Sequence, residues 1–423
     1  MTRSRLSPYG DRGFEMSNRD WLEGLLLEGM KFRLGNPKRI LKRLGKKPHK
    51  KFKFKSIHVA GSNGKGSLCV QLSAAATASG LKTGLFTSPH LVRVEERVRI
   101  NGRPIEPDDF DRLLGAVRKA ASAEERIPTY FEATFLVAML AFREAKVDRA
   151  IFETGMGGKL DATRLVDADL CILTTVSLEH TEYLGDTLAE IATEKVAIHR
   201  SGTPFIALEP EDAEVRRVIE EKCGEDLLPW WRNERNSSTW MDYGLIVERI
   251  SRKKGWSETS GECYWPGRSP GYGEGWIDGV LTQLSAAHNA ESLERDFSEA
   301  FPDSVVLLGM SKKADLRATM EPVVSELRST NSFPKVVFTE PQTGRSPAVP
   351  VEQLCEMMEK MGVGHIPTAV EKDPRKAFEM AGQMAREEGH QLLVIGSVYL
   401  IGDLLKYVVE RDGLNLWDEL TVH

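Results

Sequence analysis

The sequence predicts an α/β protein built from two successive sheets, and three observations carry that prediction. Short apolar runs alternate with helical stretches along most of the 423 residues, the pattern of strands covered by helices. The first strong run, Ile57 to Ala60, passes straight into Gly61-Ser62-Asn63-Gly64-Lys65-Gly66-Ser67, the composition of a phosphate-cradling loop. A compositional break, Tyr264 to Gly275, then separates two alternating regions. It predicts a domain boundary near residue 270, giving domains 1–270 and 271–423.

The loop is the most informative stretch. Glycines let backbone N–H groups converge on an anion, Lys65 supplies a cation for the β- and γ-phosphates, and Ser67 offers a hydroxyl to Mg²⁺. Leu68 to Ser79 is small and apolar, suited to a helix packed closely on a sheet and stopped by Gly80. The helix N-terminus would add its partial positive charge at the phosphates. Gly66 separates Lys65 from Ser67, so the loop is a variant of the usual G-x-x-x-x-G-K-S/T pattern.

Composition narrows the function classes. The chain is 41% hydrophobic and 28% charged, ordinary for a globular protein. Five scattered cysteines, Cys69, Cys171, Cys223, Cys263 and Cys355, form no C-x-x-C pair, which argues for reduced thiols in a cytoplasm. The first twenty residues lack the apolar core of a signal peptide, and no apolar run is long enough to span a membrane. Between Lys31 and Val94 lie fifteen basic residues and no acidic one, so against a net charge of −5 the remainder carries −20. Such a run is either a solvated face or a surface that attracts an anionic substrate. Stacking aromatics are too few for a nucleic-acid site.

In order along the chain, residues 1–17 read as a loose arm. Two helices follow within Trp21 to Leu44, the second entered through Asn36 as N-cap and Pro37. A short strand, Thr83 to Phe86, runs into Thr87-Ser88-Pro89-His90, placing hydroxyls where α/β sheets bind ligands. Glu95 to Gly102 reads as a hairpin or lid arm with an Asn-Gly turn, and Tyr130 to Ala145 as a long apolar helix. Glu153 ends the next buried run, before a glycine turn; a buried carboxylate must be paired or bind metal, so it is a Mg²⁺ candidate. The run Leu170 to Val176 leads into Glu179-His180. Thr187 to Glu190 is a capping box, and Lys195 near that helix's C-terminus reads at first as a favourable cation on the helix dipole. Glu209 to Trp231 reads as a linker with one helix, and Ser237 to Ile250 as another. Beyond the break, Gly279 to Leu284, Val305 to Leu308, Val336 to Thr339 and Leu392 to Ile395 predict a second, doubly wound sheet.

Together these stretches resemble the folylpolyglutamate synthase and dihydrofolate synthase family, a branch of the Mur ligase superfamily. His58 to Ser67 is similar to the family's H-V-A-G-T-N-G-K-G-S loop, with Ser62 for the threonine. Thr87 to Leu91 and Glu96 to Gly102 resemble T-S-P-H-L and E-R-I-R-V-N-G. Glu153 to Thr163 is similar to E-x-G-x-G-G-R-L-D-A-T, His180 to Asp186 to H-T-x-x-L-G-D, Trp265 to Arg268 to W-P-G-R, and Gly396 to Leu400 to G-S-x-Y-L. The resemblance implies a phosphate-loop ATPase domain of Mur-ligase type followed by a Rossmann-like domain. It implies joining of L-glutamate to a folate or pteroate carboxylate with ATP, through an acyl phosphate. Gly61, Ser62, Asn63, Gly64, Lys65, Gly66, Ser67, Asn236 and Arg268 would bind nucleotide; Ser67, Ser88, Glu153 and His180 would hold Mg²⁺. By the same resemblance Lys195 carries a carbamate that completes a second metal site, which reverses the plain reading above, and a monovalent cation is a further candidate. Lys65, Lys195, Arg268 and His288 would be the catalytic residues, with Lys65, Arg268 and His288 stabilising the transferring phosphate. The family also implies a monomer.

Departures from the family pattern fall on the nucleotide-base and acceptor sides. D-G-A-H-N is Ser285-Ala286-Ala287-His288-Asn289, H-Q-x-x-N is Arg232-Asn233-Glu234-Arg235-Asn236, D-A-T-N ends in Arg164, and the aspartate of D-H-T is Glu179. They leave two rivals: the same amide-forming chemistry on a non-folate acid or another amino acid, and a nucleotide-binding protein that has lost ligation.

Overall fold

The computed structural model describes residues 16–27, 34–45, 54–232, 239–256, 263–265, 267, 271–272, 276–301, 303–329, 335–344 and 346–422. Residues 1–15 of the expected arm, 1–17, lie outside them, as do the expected nucleotide-binding residues Asn236 and Arg268 and Lys46 to Lys53 of the basic run.

Helices α1 (Asn18–Leu27) and α2 (Gly35–Leu44) precede β1 (Lys55–Ala60), the loop and α3 (Lys65–Ala78). Then come β2 (Thr83–Phe86), β3 (Val98–Ile100), β4 (Arg103–Pro104), α4 (Pro107–Ala121), α5 (Tyr130–Ala145), β5 (Arg149–Glu153) and β6 (Ala168–Leu173). The first sheet's remaining elements are α6 (Thr181–Leu184), α7 (Leu188–Val196), β7 (Phe205–Ala207), α8 (Ala213–Cys223) and α9 (Thr239–Lys254). Its strand order is β4-β3-β2-β5-β1-β6-β7, parallel except for the hairpin β3-β4, which joins antiparallel at the edge. The central strand β1 is buried on both faces. Ile57 and Val59 meet α3 and α9, while Ala60 joins the core under α4 and α5. That is why the run reads as continuously apolar rather than alternating.

Phenylalanines fill the α5 side. Phe86 lies edge-on to Phe131 at 5.5 Å and Phe142 meets Phe152 at 5.6 Å. A Cβ at Gly84 would come within 2.7 Å of the Phe142 ring, so the bare β2 backbone is what lets α5 sit this close. Helix α2 starts at Gly35, with Asn36 buried inside its first turn rather than capping it. Pro37 is tolerated there because the first N–H groups of a helix have no intrahelical partner. Arg39 and Arg43 of the basic run both pair with Glu124, tying α2 to the end of α4.

The predicted Asn-Gly turn forms, with Asn101 at φ 49° and Gly102 at φ 79°. The preceding residues are not an exposed arm, however. Val94–Arg97 is a buried 3₁₀ turn in which the Glu96 carboxylate accepts the N–H groups of Leu91, Val92 and Arg93 at 2.9, 2.7 and 2.6 Å.

The second sheet comprises β8 (Gly271–Tyr272), β9 (Thr282–Leu284), α10 (Ala290–Ser298), β10 (Ser304–Leu308), α11 (Leu316–Ser329), β11 (Val336–Phe338) and α12 (Val351–Lys360). It continues with β12 (Thr368–Val370), α13 (Pro374–Glu388), β13 (Gln391–Ile395), α14 (Val398–Asp412) and α15 (Leu416–Glu419). Strand order is β12-β11-β10-β13-β9-β8, with β8 antiparallel. Along β10, Val305 and Leu307 face one helical layer and Val306 and Leu308 the other, so the sheet is covered on both sides. Strands β7, β8 and β12 were not expected from sequence; each has three residues or fewer, and β12 is largely exposed. Residues after α14 return to the first sheet: Val422 N–H donates to Gly102 O at 3.0 Å, and the buried Arg99 guanidinium reaches Leu420 O at 3.4 Å.

Thr129 and Glu132 form a reciprocal capping box at the start of α5. Burial pushes the Glu132 carboxyl up to about 7, against the Thr129 N–H that favours its ionised form. A carboxyl raised on folding binds more protons native than unfolded between about 4.5 and 7, so stability falls as pH rises through that window. Glu132→Gln, which keeps the cap acceptor, should flatten this slope in urea unfolding measured from pH 4 to about 8.

Candidate active site

Each loop glycine has its own steric reason. Gly61 has φ 146°, and a Cβ there would fall 1.9 Å from Thr174 Oγ1. Gly64 has φ 78°, and its Cβ would fall 1.4 Å from Tyr243 Oη. The extra residue, Gly66, lies where a Cβ would meet the Trp265 ring at 3.0 Å and Glu153 Oε2 at 3.4 Å. Missing side chains thus let α9, Trp265 and the end of β5 close on the loop. Backbone contacts fix it to the segment after β6: Ser62 N–H donates to Thr175 O at 2.8 Å, Asn63 N–H to Thr175 Oγ1 at 3.0 Å, and Thr174 Oγ1 to Asn63 O at 2.7 Å.

The first helical bond of α3 runs from Leu68 N–H to Gly64 O at 3.0 Å. Lys65, Gly66 and Ser67 therefore stand at its open, electropositive end. Lys65 Nζ donates to Gly61 O and Ser62 O at 2.8 and 2.7 Å. Lys195, 1% exposed, donates to the same Gly61 O at 2.9 Å and to Glu179 Oε1 at 2.6 Å. Sequence reading set Glu179 down only as a departure; here it is the counter-ion of the cluster. Burial alone would raise its carboxyl, but Lys65 and Lys195 hold it down at about 2. Burial lowers Lys195 to about 8, Glu179 opposing and Lys65 reinforcing the shift.

Glu153 ends β5 in register with Val59 of β1, is 3% exposed, and accepts the Ser88 N–H at 2.9 Å. Ser67 follows Gly66, which touches the same carboxylate. A hard carboxylate with neighbouring hydroxyls suits Mg²⁺, which takes oxygen ligands and keeps several waters or phosphate oxygens. Among the described residues no three His, Cys, Asp or Glu side chains converge as a self-sufficient metal cage, so such a cation would share its ligands with phosphate and water. His180 stands at φ 47° as the N-cap of α6 beside Glu179, on the loop that leaves β6.

From the second sheet, His288 is exposed and donates Nδ1–H to Ala286 O at 2.9 Å. Asn289 Nδ2 donates to Asn63 Oδ1 at 2.9 Å, and Asn63 Nδ2 to Glu291 Oε2 at 2.7 Å. The phosphate loop is thus hydrogen-bonded directly to the start of α10. Ser285, standing where the family pattern has an acid, donates to Asp296 Oδ2 at 2.5 Å; a buried carboxylate sits one residue shell further back. Arg164 instead serves packing, donating to His199 O at 3.2 Å. Arg268 and Asn236 lie outside the described residues. Beside the loop opens a cavity of about 630 Å³, with an apolar floor from Leu173, Leu208 and Val215 and a charged edge of Glu209, Arg232 and Glu291.

Fold and site define a two-sheet α/β protein with a glycine-rich loop at the carboxyl end of the first sheet's central strand. Over most of its length the structure superposes on solved folylpolyglutamate synthases. For that of Mycobacterium tuberculosis complexed with ADP and AMPPCP the TM-score is 0.77 at 22% identity, covering 92% of this chain and 97% of that one. For Escherichia coli FolC in complex with DHPP and ADP it is 0.75 at 24%, covering 94% and 98%. No family model matches the sequence. In sequence the chain is 37% identical over 206 residues to the dihydrofolate synthase/folylpolyglutamate synthase of Bacillus subtilis, covering 47% of each. It is 42% identical over 165 residues to that of Escherichia coli, covering 39% of each, so the chain spans less than half the length of these curated relatives. The resemblance read from the motifs, to the folylpolyglutamate synthase and dihydrofolate synthase family, is borne out by these sequence relatives, and the expected fold by the superpositions.

Replacing Glu179 with Gln leaves two lysines on one carbonyl without their anion. Glu179→Gln should lose about 3 kcal/mol in urea unfolding, as broken buried pairs do. Glu179→Gln/Lys195→Met should recover most of that loss; equal stability of the single variant and the parent would refute the assignment.

Proposed function

We propose that the protein is an ATP-dependent amide ligase that adds L-glutamate to the carboxylate of a folate or pteroate. The observation that carries this reading is the convergence of Lys65, Lys195, Glu179 and Glu153 on a glycine loop at the carboxyl ends of β1 and β5. The acid's carboxylate attacks the γ-phosphorus of ATP, forming an acyl phosphate and releasing ADP. The glutamate amine then adds to the acyl carbon, and the tetrahedral intermediate expels inorganic phosphate as the amide forms. Negative charge builds on phosphoryl oxygens in the first step, so positioned cations and N–H donors are what lower the barrier. In this reading Lys65 and the open end of α3 take the β- and γ-phosphates, and, as the motif resemblance implies, Arg268 and His288 stabilise the transferring phosphoryl group and Asn236 binds nucleotide.

Ser67, Ser88, Glu153 and His180 are the proposed holders of Mg²⁺, which neutralises phosphate charge when bound. The M. tuberculosis and E. coli neighbours were solved with ADP, and a Yersinia pestis one with AMPPNP and Mn, which supports nucleotide and a divalent ion here. A carbamate on Lys195 would set a second anion beside Glu179. The modified lysine is therefore proposed only together with a cation, divalent or monovalent, between the two. The reading also takes 1–270 as the ATP-binding domain and 271–423 as the domain that presents glutamate, working as a cytoplasmic monomer without nucleic acid. No helix among the described residues is long and apolar enough to cross a membrane.

One observation favours a second reading, the same chemistry on a different acid or amino acid: Ser285 and Asp296 replace a single acid at the start of the second sheet. ADP release decides. With Mg²⁺, ATP and glutamate, dihydropteroate or a reduced folate should support turnover, and Lys65→Ala should reduce kcat about a hundredfold or more. Turnover with neither acid, but with another carboxylate, would replace the folate assignment by the second reading.

A further inference from the structure

The hydroxyl of Tyr243 is a buried donor without an acceptor. Tyr243 lies near the start of α9, is 3% exposed, and packs its ring 5.2 Å from that of Trp231. Among the described residues its Oη has no hydrogen-bond partner. Buried hydroxyls are nearly always satisfied, and one that is not carries an uncompensated desolvation penalty.

The position of this oxygen is specific. It occupies the place where a side chain of Gly64 would begin, 1.4 Å from an ideal Cβ. Gly64 is the N-cap of α3, in left-handed conformation, directly before Lys65. The hydroxyl therefore stands in for a side chain of the loop, supplied from another helix. Burial holds the phenol well above the ordinary tyrosine range, so it stays a neutral O–H donor. Gly64 leads straight into the open end of α3, whose first N–H groups have no intrahelical acceptor and favour an anion; the charged side chains that act on the hydroxyl are Arg295 and the carboxylates of Glu291, Asp296 and Asp242.

We propose that Tyr243 Oη is a phosphate-binding donor, hydrogen-bonding an oxygen of the polyphosphate of a nucleotide held in the loop, so that α9 contributes to the cradle together with α3. This rests on the reading of Gly61 to Ser67 as a nucleotide phosphate site. A phosphate oxygen in the loop would give the hydroxyl the acceptor that the described residues do not supply.

Calorimetric binding of ADP, of a non-hydrolysable ATP analogue and of AMP, each with Mg²⁺, tests this on the parent protein, Tyr243→Phe and Lys65→Ala, alongside the thermal midpoint of each without nucleotide. Tyr243→Phe should bind ADP and the analogue about ten- to a hundredfold more weakly, the worth of one hydrogen bond to a charged group. Its AMP affinity should be unchanged, and its nucleotide-free midpoint equal to or above that of the parent. Unchanged ADP affinity in Tyr243→Phe, with Lys65→Ala weakened, would overturn the proposal and leave the loop reading standing. A lowered midpoint with equal losses for AMP and ADP would overturn it in favour of a packing role. If the parent and Lys65→Ala bind ADP alike, the loop reading fails and the proposal with it.

Discussion

One carbonyl organises the site. Gly61 O accepts hydrogen bonds from two ammonium groups, Lys65 from the start of α3 and Lys195 from the end of α7. Two cations on one oxygen repel each other, and in a buried setting that repulsion is weakly screened. The arrangement persists because Glu179 stands against Lys195 and carries full charge. The loop, α7 and the segment after β6 are thus held by one electrostatic balance, and moving any of the three disturbs the other two. An arriving polyphosphate would meet cations already gathered and oriented, which is the condition for electrostatic preorganisation.

The second requirement is close approach. Three different neighbours, Thr174, Tyr243 and Trp265, press on Gly61, Gly64 and Gly66 where side chains would otherwise stand. The loop is rigid through what surrounds it, since its own residues offer little to pack. This gives the variant spacing between Lys65 and Ser67 a physical meaning: Gly66 is the residue over which the Trp265 ring and the Glu153 carboxylate meet.

Much of this was legible in the residues. The strand, loop and helix from Ile57 to Ser79, the α5 helix with its Thr129 start, the Asn101-Gly102 turn and the burial of Glu153 follow from periodicity, capping and turn chemistry that act locally. What escaped depends on contacts distant in sequence. By its local sequence alone Lys195 reads as a helix-end cation; the family resemblance singled it out, but not its hydrogen bond to Gly61, 134 positions away. Glu179 gains its role only from that same approach, and Tyr243, inside an amphipathic helix, looks like an ordinary core aromatic. Glu95 to Arg97 suggested an exposed arm because charged residues usually lie outside; Glu96 is buried because three backbone N–H groups satisfy it. Strands β7 and β12 are too short for a two-residue period to register.

Residues 416–422 have a mechanical meaning. The two sheets are already joined by the chain that runs from α9 to β8, and the backbone bond from Val422 to Gly102, with Arg99 on Leu420, joins them a second time. Gly102 and Gly402 make this attachment tight, since a Cβ on either would strike the backbone oxygen of Val422 or Leu91 at 2.0 or 2.2 Å. With the hydrogen bonds from Asn63 to Asn289 and Glu291, the second sheet is thus tied to the first both at its phosphate-loop side and through the end of the described chain.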